Sequence, residues 1–237
     1  MDASSRRRIY LLRHADVAYY ADPARPVVPE EAVLTGAGLE QARAAGRALA
    51  EVRLDRIVTS GLARTDETAR LVVQGLEHAP SHPAPEHWPD LQEYRLGDVS
   101  VIPDGELEDA FLGPFRGTPH PSATYLRGET VGSLLKRVSA ARERLYADPG
   151  WNTLLLVAHG GVNRAILSWV IAGSGPFYAQ FEQSPGCINI VDGEPASFVV
   201  RAVNATPYDL AQLGPRSTSV ERIVEEYRAY RASPDQA

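Results

Sequence analysis

Cysteine is nearly absent: Cys187 is the single example in 237 residues. A lone thiol excludes an internal disulfide and any multi-cysteine zinc site. It stands in the strand-like run Gly186-Cys187-Ile188-Asn189-Ile190-Val191, where it reads as a small packed hydrophobe and not a nucleophile. Lysine is as scarce, with Lys136 the only one among 24 basic residues. That bias reads as genome composition, although each arginine brings a fixed charge and a planar fork of donors that matches phosphate and carboxylate. Extended basic runs are missing and the net charge is −6, so the general footprint of a nucleic-acid binder is not there. No stretch approaches the roughly 20 apolar residues of a membrane span. Arg6-Arg7-Arg8 is followed by only four apolar residues, fewer than a signal-peptide core needs. The expectation is a soluble, cytoplasmic protein.

What is present is ample for a core. Hydrophobic residues make up 44% and charged residues 23%, which argues against disorder and suits one α/β domain over 1–237. Residues 9–16, Ile9-Tyr10-Leu11-Leu12-Arg13-His14-Ala15-Asp16, organise it. Four apolar residues without a break, too few for a helix, read as a strand buried on both faces. The strand ends in a cation and an imidazole. In open α/β sheets, ligands bind at the carboxyl ends of the strands.

The second histidine signal lies far downstream. Thr153–Ala158 reads as a buried strand that runs into His159-Gly160-Gly161 and a helix to about Ala172. Glycines allow close backbone approach, and a helix start offers free N–H groups to an anion. Between the two, 17–33 is a proline-bearing loop expected to wall one side of His14. Thr35 caps a helix to about Glu51, whose glycines at 36, 38 and 46 suggest close packing on the sheet. Arg56–Ser60 is a short strand leading into a helix from about 61 to 75. Arg64 falls in its first turn, where a cation opposes the helix dipole unless an anion binds there. His78, His82 and His87 fit no helix face and have no acidic or thiol partner in sequence, so no metal site is expected. Residues 99–128 read as an irregular lid or binding insert. A helix from Thr130 to Ala147, strands at 186–192 and 197–203 around a turn at 192–195, and a helix over 219–232 with a Thr218–Glu221 capping box complete the chain. The alternation predicts a mostly parallel central sheet with helices on both faces.

Arg13, His14, Arg64, Glu93 and His159 form a set suited to phosphoryl transfer. A neutral imidazole can attack phosphorus and split one hard step into two. Guanidinium forks can hold the nonbridging oxygens, and a carboxyl group can protonate the leaving alkoxide. With protein cations to neutralise the phosphate, neither metal nor cofactor is needed.

Several runs, in order, carry a resemblance: Leu-Leu-Arg13-His14, Leu34-Thr35-x-x-Gly38-x-x-Gln41-Ala42, Thr59-Ser60-x-Leu62-x-Arg64-x-x-Glu67-Thr68-Ala69, Leu91-x-Glu93-x-x-x-Gly97, Gly128-Glu129-Thr130 and Val157-Ala158-His159-Gly160-Gly161. Over roughly residues 8–173 the chain resembles the histidine phosphatase superfamily (phosphoglycerate mutase-like). The resemblance implies a three-layer α/β fold and a phosphohistidine mechanism. It implies His14 as nucleophile, Arg13, Arg64 and His159 as the rest of the phosphate pocket, and Glu93 as proton donor. Asp98 and Glu106 are the alternative donors, and Glu129, at a helix start, is either a favourable dipole charge or a further catalytic carboxylate. Two departures lie at the mouth. Ala15 replaces a usual glycine, and Tyr20 stands where a phosphate-contacting asparagine is common, which makes Tyr20 a candidate substrate-binding residue. Gly61 replaces a frequent proline.

The insert at 99–128 carries Arg116 and Arg127 against Asp104, Glu106, Glu108 and Asp109. That surplus of acid favours a neutral or polyol-like leaving group, a sugar phosphate or nucleotide, over the carboxylate substrate of a mutase. A phosphoglycerate mutase-like phosphotransferase and a non-enzymatic phospho-ligand binder are the alternatives. The expected partner is a small phosphomonoester, with neither nucleic acid nor membrane and with a homodimer allowed.

Overall fold

The structure is a computed structural model describing residues 6–20, 31–77, 81–173, 176–194 and 197–233. His78, residues 21–30 of the proposed wall after His14, and Pro195 of the proposed turn lie outside the described residues.

β1 (Arg8–Arg13) is the strand read at 9–12 and is buried from Ile9 onward. Its parallel neighbour is β4 (Thr153–Ala158), with Leu11 opposite Leu156 and Arg13 opposite Ala158. β2 (Arg56–Thr59) runs parallel to β4 on the far side and carries the two-residue β3 (Glu86–His87) at its edge. The other flank of β1 is antiparallel: β5 (Ile188–Glu194) and then β6 (Ser197–Ala205). The six-stranded order is β3-β2-β4-β1-β5-β6. β5 continues through Asp192, Gly193 and Glu194, so these three residues of the expected turn are strand.

The pleat of β1 sorts its side chains into two cores. Ile9 and Leu11 join Leu154, Leu156 and Trp151 on one face, while Tyr10 and Leu12 join Leu155, Val157 and Ile57 on the other. A strand whose alternate residues are all apolar needs a helix layer on each side. α1 (Gly36–Ala48) and α2 (Ala63–Gln74) cover the second face. α4 (Val131–Ala147) and α5 (Gly160–Ala172) cover the first with the stripe Val131, Leu134, Val138, Ala141 and Leu145. α6 (Ser219–Arg231) has the expected Thr218–Glu221 capping box.

Three local expectations need correction. The glycines of α1 serve contacts other than the sheet: a Cβ at Gly38 would strike the Asp16 backbone, and one at Gly46 would lie 2.8 Å from Val72 O of α2. Gly61, by contrast, needs no correction: it adopts φ +79 between β2 and α2, a value closed to the ring-locked φ of proline, so the departure at this position is structural. The insert is ordered by short helices, with α3 (Leu107–Leu112) between single turns at 104–106 and 113–115. Its acids also turn outward. Glu108 and Asp109 pair with Arg116, Glu106 with Arg127, and Asp104 and Glu108 with Arg231 and Arg228 of α6. The acidic surplus therefore clamps insert to α6 and does not colour the cavity beneath, where it had been read as favouring a neutral substrate.

Candidate active site

Parallel pairing places the carboxyl ends of β1, β2 and β4 on one edge. His14, Ser60 and His159, each one residue past its strand, meet there as a consequence of register. The rings of His14 and His159 stand 5.2 Å apart, centroid to centroid, at 62°. Both are buried, at 3% and 0% exposure.

Hydrogen bonds set the two tautomers apart. His14 Nδ1 lies 2.8 Å from the Ala15 carbonyl, which can only accept, so Nδ1 carries the proton and Nε2 keeps a lone pair. His159 is the reverse: Arg64 donates toward its Nδ1 at 3.4 Å, and Nε2 donates to Ser60 Oγ at 2.8 Å. The direction is enforced downstream, because Thr65 Oγ1 donates to Leu62 O and so accepts from Ser60. Burial, followed by the Arg64 charge, holds both imidazoles well below the usual 6.5. His14 is thus a neutral ring with an open nitrogen at the end of a strand.

The cations are buried as well. Arg64, second residue of α2, is 2% exposed, which rules out an arginine snorkelling from a surface helix. Arg13 donates from Nη1 to Gln183 O, and its buried Nε has no partner among the described residues. Burying guanidinium groups is costly, and an anion bound beside them offsets that cost.

Glu93 approaches from the opposite wall. Its Oε2 accepts the Gly161 N–H at 2.9 Å and its Oε1 the Tyr94 N–H at 3.1 Å. The start of α5, read as an open anion site, thus already gives one N–H to this carboxylate. A Cβ at Gly161 would lie 2.4 Å from Glu93 Oε1, so glycine is required for the approach. Glu129 sits behind, its carboxylate taken by Arg137 Nε and Nη2, Ser133 Oγ and Arg95 N. Arg137 in turn holds the carbonyls of Asp90, Gln92 and Glu93. Glu129 therefore braces the Glu93 loop and does not enter the cavity. Asp98 caps its own exposed turn and Glu106 pairs with Arg127 outside, so neither alternative carboxylate reaches the site.

Arg13, His14, Arg64, Glu93 and Gly161 line a cleft whose other walls include Tyr19, Tyr20, Tyr94, Phe115 and Tyr125, and His159 lies buried beside His14. Tyr20 is there as expected, packed on Tyr227 and Tyr230 of α6. Sequence reading missed Arg164, 2% exposed and lining the same cleft, with Nε on Ala179 O and Nη2 3.3 Å from Glu182. Its signal was available: it follows Gly160 by four residues and so shares that helix face. Of the three histidines at 78, 82 and 87, two lie among the described residues. His82 Nδ1 accepts from Leu54 N and His87 pairs with Asp66; among the described residues no group of three or more ligating side chains is assembled.

Comparison with known proteins agrees with the geometry. A chain from Salmonella typhimurium named adenosylcobalamin/alpha-ribazole phosphatase is 29% identical over 191 residues, covering 78% of this chain and 90% of that one. The wheat 2-carboxy-D-arabinitol-1-phosphatase is 24% identical over 225 residues, 85% of this chain and 41% of the relative. Among solved structures, the alpha-ribazole phosphatase of Shigella flexneri aligns with a TM-score of 0.64 at 24% identity, over 84% of this chain and 96% of its own. A phosphoglycerate mutase from Bacillus anthracis gives the same score at 17% identity over 84% and 93%. A sequence profile described as histidine phosphatase superfamily (branch 1) matches residues 9–206. That span runs from the first buried strand past the second histidine to the end of the sheet, and with it the chain belongs to the histidine phosphatase superfamily.

Proposed function

We propose that this protein is a phosphomonoesterase that passes the phosphoryl group of a small ester first to His14 and then to water. The observation that carries the reading is the pair of buried, oppositely tautomerised imidazoles facing each other beside Arg13 and Arg64. In the first step the Nε2 lone pair of His14 attacks phosphorus, the bond to the leaving oxygen breaks, and that oxygen takes a proton from the Glu93 carboxyl group. In the second, Glu93 takes a proton from water. The water oxygen then attacks phosphorus, and the P–N bond returns its electron pair to Nε2.

Arg13, Arg64 and His159 hold the nonbridging oxygens. A dianion among them favours a proton on His159 Nδ1, turning its acceptor into a donor. Charge in the transition state is met by donors already fixed in place, so no step requires a metal. The names of the relatives support hydrolysis of phosphate monoesters as the class. Among the described residues no helix is long and apolar enough to cross a membrane, and the cytoplasm is our placement.

The test is release of inorganic phosphate from an aryl phosphate with a chelator present. Turnover at an undiminished rate supports the reading. Binding without release would make the protein a phospho-ligand binder, and transfer of labelled phosphate to an added alcohol in preference to water would make it a phosphotransferase.

A further inference from the structure

The end of β1 is gripped from outside the cleft. The loop that leads into β5 wraps around it: Gly186 N–H donates to the His14 carbonyl at 3.1 Å, Arg13 N–H donates to the Cys187 carbonyl at 3.2 Å, and Arg13 Nη1 donates to Gln183 O. The last of these bonds sets the direction of the guanidinium. In this protein the Nε–Nη2 edge of arginine takes carboxylates side-on, from Glu194 at Arg7 and from Glu86 at Arg56. With Nη1 tied back to Gln183, Arg13 keeps that same edge for an incoming oxyanion. Its Nε faces the start of α5, where a Cβ at Gly160 would lie 3.7 Å from it and 3.7 Å from Glu93 Oε2.

A carbonyl in a loop holds a cation only as firmly as the loop itself is held. Gln183 lies in neither helix nor strand, and its side chain does the holding. Gln183 and Asn189 are both fully buried, at 0% exposure, and their amides face each other in a two-way pair. Asn189 Nδ2 donates to Gln183 Oε1 at 2.9 Å, and Gln183 Nε2 donates to Asn189 Oδ1 at 3.0 Å. Asn189 is anchored in turn, giving Nδ2 to Leu11 O of β1 and taking Asn204 N–H of β6, each at 2.9 Å. Both donors and both acceptor positions of the Asn189 amide are therefore filled. A buried polar network satisfied in this way specifies one geometry, where apolar packing would serve stability alone. Resting on the phosphomonoesterase reading above, in which Arg13 holds a nonbridging oxygen, we propose that Gln183 and Asn189 are positioning residues for phosphoryl transfer. Their paired amides fix the Gln183 carbonyl, and that carbonyl turns the Nε–Nη2 edge of Arg13 to the phosphate.

Inorganic phosphate is the probe, read by titration so that variants with little turnover are still measured. Gln183→Met keeps the length of the side chain and removes its amide. It should weaken phosphate binding about tenfold and lower kcat/KM for an aryl phosphate by about as much. Gln183→Asn stays polar but is one methylene short of its partner, and Asn189→Ser withdraws the partner. Each should weaken phosphate by about fivefold, and the two keep the test open where Gln183→Met does not fold. The deciding readout is the double-mutant cycle with Arg13→Ala: in that background the same substitutions should change phosphate affinity by less than about twofold. Parent-like affinity in every folded variant would overturn the inference and leave the phosphatase standing. An equal loss in the Arg13→Ala background, the mark of a structural role alone, would do the same. Arg13→Ala that binds phosphate and turns over the aryl ester like the parent would remove Arg13 from the phosphate pocket, and this inference with it.

Discussion

The two ends of the cleft are made of different material. The phosphate end is built at the termini of parallel strands and at the first turns of two helices, with His14, Ser60, Arg64 and His159 all buried. The leaving-group end is built from the Tyr19–Tyr20 segment, the loop of Glu93 and Tyr94, the insert and α6. Strand termini are fixed by register, so the chemistry is held rigidly; loops vary freely, so the choice of ester is held by whichever rings the loops present. On the proposed reading, a reaction shared across a superfamily sits on the part of the cavity that register fixes, and the choice of ester on the part that loops build.

Substitutions at the two ends should therefore fail differently. His14→Ala removes the nucleophile and should cost about 10³-fold or more in kcat for every ester, with a melting temperature close to the parent's. Retained phosphate release in that variant would break the comparison at its firmer end. Glu93→Gln keeps the acceptor for Gly161 N–H but cannot donate as an acid; alkyl esters should slow by about 10²-fold and aryl esters far less. Equal slowing of both in steady-state assays would move the acid elsewhere. Glu129→Ala leaves Arg137, 11% exposed at its side chain, without its carboxylate, which should cost about 3 kcal/mol in urea unfolding. It should also depress kcat by loosening the loop that carries Glu93, and an unchanged kcat would show that the brace is not needed.

pH separates the ends again. His14 and His159 are held neutral below the ordinary 6.5, first by burial and then by Arg64. The unfolded chain takes up protons near that pH while the folded one does not. Their stabilisation is thus complete above 6.5 and is lost as pH falls, by about 1.4 kcal/mol per pH unit for each ring. Unfolding measured between about pH 7.5 and 5.5 should lose about 1.4 kcal/mol per ring across the whole window, because the unfolded rings are only half protonated at its middle, and His14→Ala should halve the loss. The smallest effect belongs to Ser60→Ala. Without its acceptor, His159 Nε2 loses the bond that fixes its tautomer, and kcat should fall by about fivefold.

The phosphate end was legible in the sequence. Ile9–Leu12 and Thr153–Ala158 announce buried strands, and each stops at a histidine, so register alone brings the two together. Arg64 was marked by its poor fit to the helix dipole. Glu93 was found by motif spacing, but Glu129 could be assigned only once Arg137, eight residues along α4, was seen to reach back to the Glu93 loop. The leaving-group end was not legible, because Tyr94, Phe115 and Tyr125 converge through loops whose path follows no period. The acids of the insert misled for a related reason: charge counts along a segment do not say which way it faces, and Arg228 and Arg231 draw them outward.

The central claim is that His14 carries the phosphoryl group between the two steps. Rapid acid-free quenching of turnover with a phosphorus-labelled ester, followed by peptide mapping, tests it most directly. The account predicts acid-labile, alkali-stable label on His14 that appears and decays within one turnover. Label on any other side chain, or turnover with no labelled protein while product release is slow, would contradict it.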